Sequence, residues 1–171
     1  FVGRLNFIKG PDLLLKAFDS IAAQIPQHNL IFAGSDDGME KELKKEAENS
    51  RFAKRIHFIG FINGSKKDNL YKNADLLVIP SRSEAMSLVV LEAALHGIES
   101  IFTDQCGLNE LSSRNLGKSV KVDSNEISSS IINHIKSKKK QKNLELIDYV
   151  SNNFNWDKIS YKYIKVFKKF V

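Results

Sequence analysis

Cysteine is nearly missing from this chain. Cys106 stands alone in 171 residues, so no internal disulfide can form and the fold must rest on its core. A reducing compartment is the simpler setting, and with no histidine beside it Cys106 reads as a buried thiol and not as a nucleophile. Proline is scarce (three residues), and no low-complexity stretch suggests a linker, so the expectation is one domain over residues 1–171. No apolar run approaches the roughly 20 residues that a membrane-spanning helix needs. The opening Phe1-Val2-Gly3-Arg4-Leu5 lacks the charged start and long apolar stretch of a signal peptide and reads as the tail of a strand. His28, His57, His96 and His134 are scattered singly, and none is assigned a catalytic part. No residue cluster has metal-ligand spacing, so no metal is expected. Asp36-Asp37 suits a strand-to-helix turn better than an ion site.

What is present is alternation. Leu30–Ala33, Ile56–Ile59, Leu76–Ile79 and Ser100–Thr103 are short apolar runs, the pattern of strands buried on both faces. Helical spacing lies between and beyond them. Leu13, Leu14, Ala17, Phe18 and Ile21 share one face, and Met39–Ser50 is a polar surface helix. Ile127–Lys136 and Asn143–Val150 read as further surface helices, with the charged run Lys138–Lys142 between them. Trp156–Val171 is an amphipathic end with Ile159, Tyr163, Val166, Phe167 and Phe170 on one side. Repeated strand and helix imply an α/β fold with a doubly wound parallel sheet. Ligands of such sheets sit beyond the carboxyl ends of the strands, which directs attention to the loops there.

One of those loops leads into Leu88–His96, a helix apolar almost all round and therefore expected to be buried, with Glu92 in its middle. Burying an unpaired carboxylate costs several kcal/mol, so Glu92 needs a partner, either a ligand hydroxyl or a neighbouring Lys, Arg or backbone amide. Glu84 sits just before this helix. The amides near Met86, Ser87 and Leu88 form a helix N-terminus suited to an anion, the alternative being that Ser87 merely caps the helix and Glu84 favours its positive end. Arg4 and Lys9 lie on the first loop and offer matching cations, and the net charge of +6 favours anionic partners generally.

Gly3-Arg4-Leu5 followed by Lys9-Gly10, with Glu84 and Glu92 in a Glu-x7-Glu spacing, resembles the donor-binding, C-terminal domain of retaining GT-B glycosyltransferases, the glycogen-synthase-like group. Gly34–Gly38, Ile56–Phe61, Thr103–Glu110 and Phe154-Asn155-Trp156 resemble the family's later segments in the same order. The resemblance implies a Rossmann-like half of a GT-B fold, with an acceptor domain preceding residues 1–171. It implies a nucleoside-diphosphate sugar (UDP-, GDP- or ADP-linked) as donor, no required cofactor, and transfer with retention in polysaccharide, lipopolysaccharide or glycolipid synthesis. Residue by residue, Arg4 and Lys9 would grip the diphosphate and Glu84 would lie beside the transferred sugar. Glu92 would accept from the ribose hydroxyls, the amides of Met86, Ser87 and Leu88 would cradle the distal phosphate, Phe61 or the backbone from Ile59 to Ile62 would sit against the base, and Gly34 would belong to the Gly-rich turn. The family usually has Gly where Ala85 follows Glu84, and a positive φ there would strain this chain's loop. Other implied partners are a sugar or lipid-linked acceptor, reached through the preceding domain, and no nucleic acid. The location implied is cytoplasmic, with peripheral contact at the inner face of the membrane as a variant. The rival reading is a nucleotide-binding or scaffold module that has lost turnover, and the isolated domain is expected to be inactive.

Overall fold

The computed structural model of the chain describes residues 1–137 and 142–170. The run Lys138–Lys142 read from the sequence therefore lies, but for its last residue, outside the described residues, as does Val171. Among the described residues five strands are formed: β1 Leu30–Phe32, β2 Ile56–Phe58, β3 Leu77–Ile79, β4 Ser100–Thr103 and β5 Lys118–Val120. All pairings are parallel, β1 with β2 and β3–β4–β5 in that order. Residues 1–5 run alongside the extension of β1 through bridges from Val2 to Ala33 and from Leu5 to Asp36.

Helices α1 (Pro11–Ile21), α2 (Glu40–Asn49), α3 (Gly64–Asn73), α4 (Leu88–Leu95), α5 (Asn109–Ser113), α6 (Ser124–Lys136), α7 (Leu144–Asn153) and α8 (Trp156–Phe167) follow in chain order. They cover both faces of the sheet, and successive strand residues show it. Val78 and Ile101 point into a core with Leu14, Phe18 and Ile127 of α1 and α6. Leu77, Ile79 and Phe102 point into a second core with Tyr71, Val90, Leu111 and Leu146. This is the doubly wound arrangement that the alternation predicts.

Proline at the first position of α1 suits a helix start, and Asp123, Asn143 and Asn155 cap α6, α7 and α8 by accepting from amides of the first turn. At the amino edge of the sheet, Arg55 from the short 3-10 turn Ala53–Arg55 donates to the carbonyls of Ala22, Ile25 and His28 at 2.6–2.9 Å. These carbonyls lie where α1 ends and the chain turns toward β1, and those of Ala22 and Ile25 also accept from the amides of Ile25 and His28.

Two expectations need correction. Helix α4 is not buried all round: Val90, Leu91, Ala93 and Ala94 face the core, while Leu88 and Leu95 are 61% and 50% exposed. Glu92 shares that outer side and is half-exposed, so its carboxylate stays partly in water and the desolvation argument weakens. The terminal helix α8 ends at Phe167, contacts only its neighbour α7 among the larger helix contacts, and buries none of its residues.

Candidate functional site

The loops at the carboxyl ends of the strands are stitched to one another by backbone. Gly10 has φ 67°, and a β-carbon there would lie 2.2 Å from the carbonyl oxygen of Pro80. Only glycine allows both the left-handed conformation and the close approach. Gly107 does the same for the next pair of loops, with φ 67° and only 2.0 Å from a built β-carbon to the carbonyl oxygen of Ala85. The amides of Glu84 and Ser87 donate to the carbonyls of Gln105 and Cys106 at 2.9 and 3.0 Å, closing the same seam. Gly34 donates to the carbonyl of Gly60 at 2.8 Å, and a side chain there would strike the carbonyl of Gly3. Gly34 is thus a close-packing position between the first two loops.

Into this frame the structure brings Lys9 and Glu84 together, at 3.1 Å between Nζ and Oε2, with the glutamate side chain only 8% exposed. The Ser81 hydroxyl donates to the other carboxylate oxygen. The Cys106 thiol lies below, sharing a contact of 3.3 Å with the Thr103 hydroxyl, and burial pushes its pKa up. Arg4 is held differently. Its guanidinium reaches Asp37 at 2.8 Å and is 63% exposed, so it stands at the rim. Asp37 also accepts from the Asn6 amide at 2.7 Å, whereas the exposed Asp36 accepts from the amides of Gly38, Met39 and Glu40 at 2.9–3.1 Å. The Asp36 pKa is lowered chiefly by the bond from Glu40, which identifies its work as ending a turn and starting α2.

At the start of α4, Ser87 does not cap the helix through its side chain. Its hydroxyl oxygen is buried and has no hydrogen-bond partner among the described residues, and its amide is engaged by Cys106. The expected cradle of three amides therefore reduces to those of Met86 and Leu88, with the Ser87 hydroxyl beside them. Ala85 has no positive φ, since Asn115 is the one non-glycine residue with that geometry among the described residues. The departure from glycine costs no backbone strain. Phe61 is 71% exposed at the end of β2 and open to a stacking partner.

Glu92 faces α3 and not the Lys9–Glu84 pair. Its Oε1 accepts from Lys67 at 2.8 Å and its Oε2 from the Tyr71 hydroxyl at 3.0 Å. Lys67 and Tyr71 escaped the sequence reading. Their spacing by four places both on one helix face, but Gly64–Asn73 is polar enough that no helix was expected. Arg82 also went unread. It donates to both Asp12 oxygens at 2.9 and 2.6 Å and to the carbonyl of Phe7 at 2.7 Å, with its guanidinium 3.9 Å above the Phe7 ring, and so fixes the loop that carries Lys9.

A parallel doubly wound half with its loops gathered at one edge is the fold of the C-terminal half of GT-B glycosyltransferases. An Anabaena protein, HepE, crystallised with UDP, superposes with a TM-score of 0.84 at 23% identity over 99% of this chain and 49% of that one. The C-terminal domain of a glycosyl transferase group 1 protein from Francisella tularensis gives 0.80 at 24% identity, covering 91% of this chain and 84% of that one. These likenesses establish the fold. The family profile of glycosyl transferases group 1 matches residues 1–151, and the chain belongs to that family. A glycogen synthase of Thermodesulfovibrio yellowstonii is 30% identical over 98% of this chain and 34% of its own length. An uncharacterised glycosyltransferase of Methanocaldococcus jannaschii is 37% identical over 65% of this chain and 28% of its own. The chain thus spans about a third of the curated relatives it matches.

Proposed function

We propose that residues 1–171 bind the nucleoside-diphosphate sugar of a hexosyltransferase and, together with an acceptor domain, transfer the sugar with retention of configuration. The observation that carries the reading is the Lys9–Glu84 pair held at the carboxyl edge, beside the unpartnered Ser87 hydroxyl at the start of α4. A lysine and a carboxylate kept this close can serve the two ends of the bond that breaks, the diphosphate oxygen that leaves and the sugar carbon that it leaves. The UDP bound by the Anabaena protein of the same fold supports a nucleotide as the ligand.

In the reaction the bond from the sugar's anomeric carbon to the diphosphate oxygen breaks, with its electron pair passing to the phosphate. Lys9 and Arg4 stabilise that charge, Arg4 swinging from Asp37 at the rim. The acceptor oxygen forms the new bond on the same face and passes its proton to the departing diphosphate oxygen. Glu84 holds sugar hydroxyls and balances positive charge at the reacting carbon. The amides of Met86 and Leu88 take the distal phosphate, Phe61 stacks on the base, and Glu92 accepts from the ribose. Among the described residues no helix is long and apolar enough to cross a membrane. The exposed side of α8, with Trp156, Tyr163 and Phe167, is the natural seat for the acceptor domain, and contact with a membrane's inner face is the other use of its lysines. Products in polysaccharide, lipopolysaccharide or glycolipid synthesis suit the family.

Calorimetric titration with UDP, GDP and ADP tests the reading. One diphosphate is expected to bind, and Arg4→Ala and Glu92→Ala each to weaken it about tenfold, roughly 1.4 kcal/mol. Binding of none by the folded full chain overturns it.

A further inference from the structure

Glu92 shows an unusual division of labour between its two oxygens. One takes the Lys67 ammonium at 2.8 Å, the other the Tyr71 hydroxyl at 3.0 Å, and the side chain is still 38% exposed. A carboxylate oxygen accepts about two hydrogen bonds, so each retains one acceptor position. Both donors come from α3, leaving the open side of the carboxylate free of that helix. Two acceptor positions on adjacent oxygens match a vicinal diol, whose two hydroxyls donate side by side.

We infer that Tyr71 and Lys67 are positioning residues that pin the Glu92 carboxylate in the rotamer and plane needed to receive the paired hydroxyls of a ribose. This rests on the nucleotide-binding reading above and says how its ribose contact is built. Tyr71 is 2% exposed, and burial, followed by the charge of Glu92, holds its hydroxyl protonated and donating. The same hydroxyl lies 3.5 Å from the Val89 carbonyl, a longer and weaker contact, so the carboxylate is its main acceptor. Lys67 supplies a counter-charge 2.8 Å from the carboxylate while ligand hydroxyls displace water from it.

The competing role is purely structural. Tyr71 is the one buried residue of α3, its ring stacks on His96 at 5.6 Å, and His96 in turn pairs with Asp68 of α3 at 3.5 Å. Those ring contacts survive in Tyr71→Phe, which removes the hydroxyl alone. Fastening and positioning therefore come apart in one variant.

The experiment titrates the full chain, Tyr71→Phe and Lys67→Met with UDP, GDP and ADP and with their 2′-deoxy counterparts, alongside thermal melts. The wild type is expected to prefer one ribonucleotide over its 2′-deoxy form by about tenfold, the worth of a hydrogen bond to a charged acceptor. Each variant is expected to cut that preference about fivefold while holding 2′-deoxy affinity within about twofold. Equal losses on both forms, or an unchanged preference, overturn the positioning role and leave the nucleotide reading standing. Wild-type binding of ribo and deoxy forms alike removes Glu92 as diol acceptor and overturns the inference. Failure of the wild type to bind any of the three overturns both readings together.

Discussion

Glu84 and Glu92 are the same residue type at the two ends of a Glu-x7-Glu spacing, yet their surroundings differ in kind. Glu84 is 8% exposed and held by loops: Lys9 comes from the first loop, Ser81 from its own, and glycines at 10 and 107 let the carbonyls of Pro80 and Ala85 close in. Glu92 is 38% exposed and held by one neighbouring helix through two side chains. A carboxylate on a loop has no regular ladder to fix it, so its frame is made of backbone contacts that tolerate no added atom. A carboxylate on a helix is already fixed in backbone, and its side chain can be aimed by others that are individually replaceable.

By that contrast the Glu84 side breaks hard and the Glu92 side bends. The largest loss is expected from Gly107→Ala or Gly10→Ala. Each forces a non-glycine residue to a positive φ and into a carbonyl, for about 3 kcal/mol of stability in a denaturant melt. A loss below about 1 kcal/mol would mean that the seam relaxes easily. Lys9→Met comes next. It strands a largely buried carboxylate and is expected to cost roughly 2 kcal/mol, discounted because the lysine is itself 26% exposed. Glu92→Gln keeps the shape and loses a half-exposed ion pair, so stability should move by less than about 1 kcal/mol. Cys106, fully buried with its pKa pushed up by that burial, should react with a thiol reagent only as fast as the protein opens. Rapid labelling in native buffer would place the thiol in an accessible site. The smallest effect concerns acid. Asp36 has a lowered pKa in the folded chain, so its contribution is present above the ordinary carboxylate range and lost as pH falls through the folded value. Asp36→Asn should lower stability slightly in the neutral region and leave the acid extreme nearly unchanged, so that the acid limb of the profile flattens.

The sequence made much of the fold legible because the strands it marks are apolar on both sides. Ile79 and Val78 feed opposite cores and so read as one continuous run. β5 was missed since Lys118-Ser119-Val120 buries only its last residue, and α3 since Tyr71 is its only buried one. The continuous apolar look of α4 also misled, because two leucines that read as core are turned outward. Of the site, Arg4, Lys9, Glu84 and Glu92 were readable from residue type and place along the chain. Their partners were not. Arg82 on Asp12, Ser81 on Glu84 and Tyr71 on Glu92 are contacts between segments, which no local pattern encodes.

Arg55 shows the opposite economy at the other end of the sheet. One guanidinium satisfies carbonyls of Ala22, Ile25 and His28, so the turn between α1 and β1 depends on a residue that arrives some thirty positions later. The exposed side chains of that turn, Ala23, Gln24, Pro26 and Gln27, are thereby released from capping it and can accept a fluorescent label, while Ala22 and Ile25 stay in the core. A lysine in place of Arg55 would reach one carbonyl at a time and leave those of Ala22 and Ile25 with only their backbone partners. The amino edge is thus the handle by which this domain can be tagged, immobilised or fused while the chemical edge stays untouched.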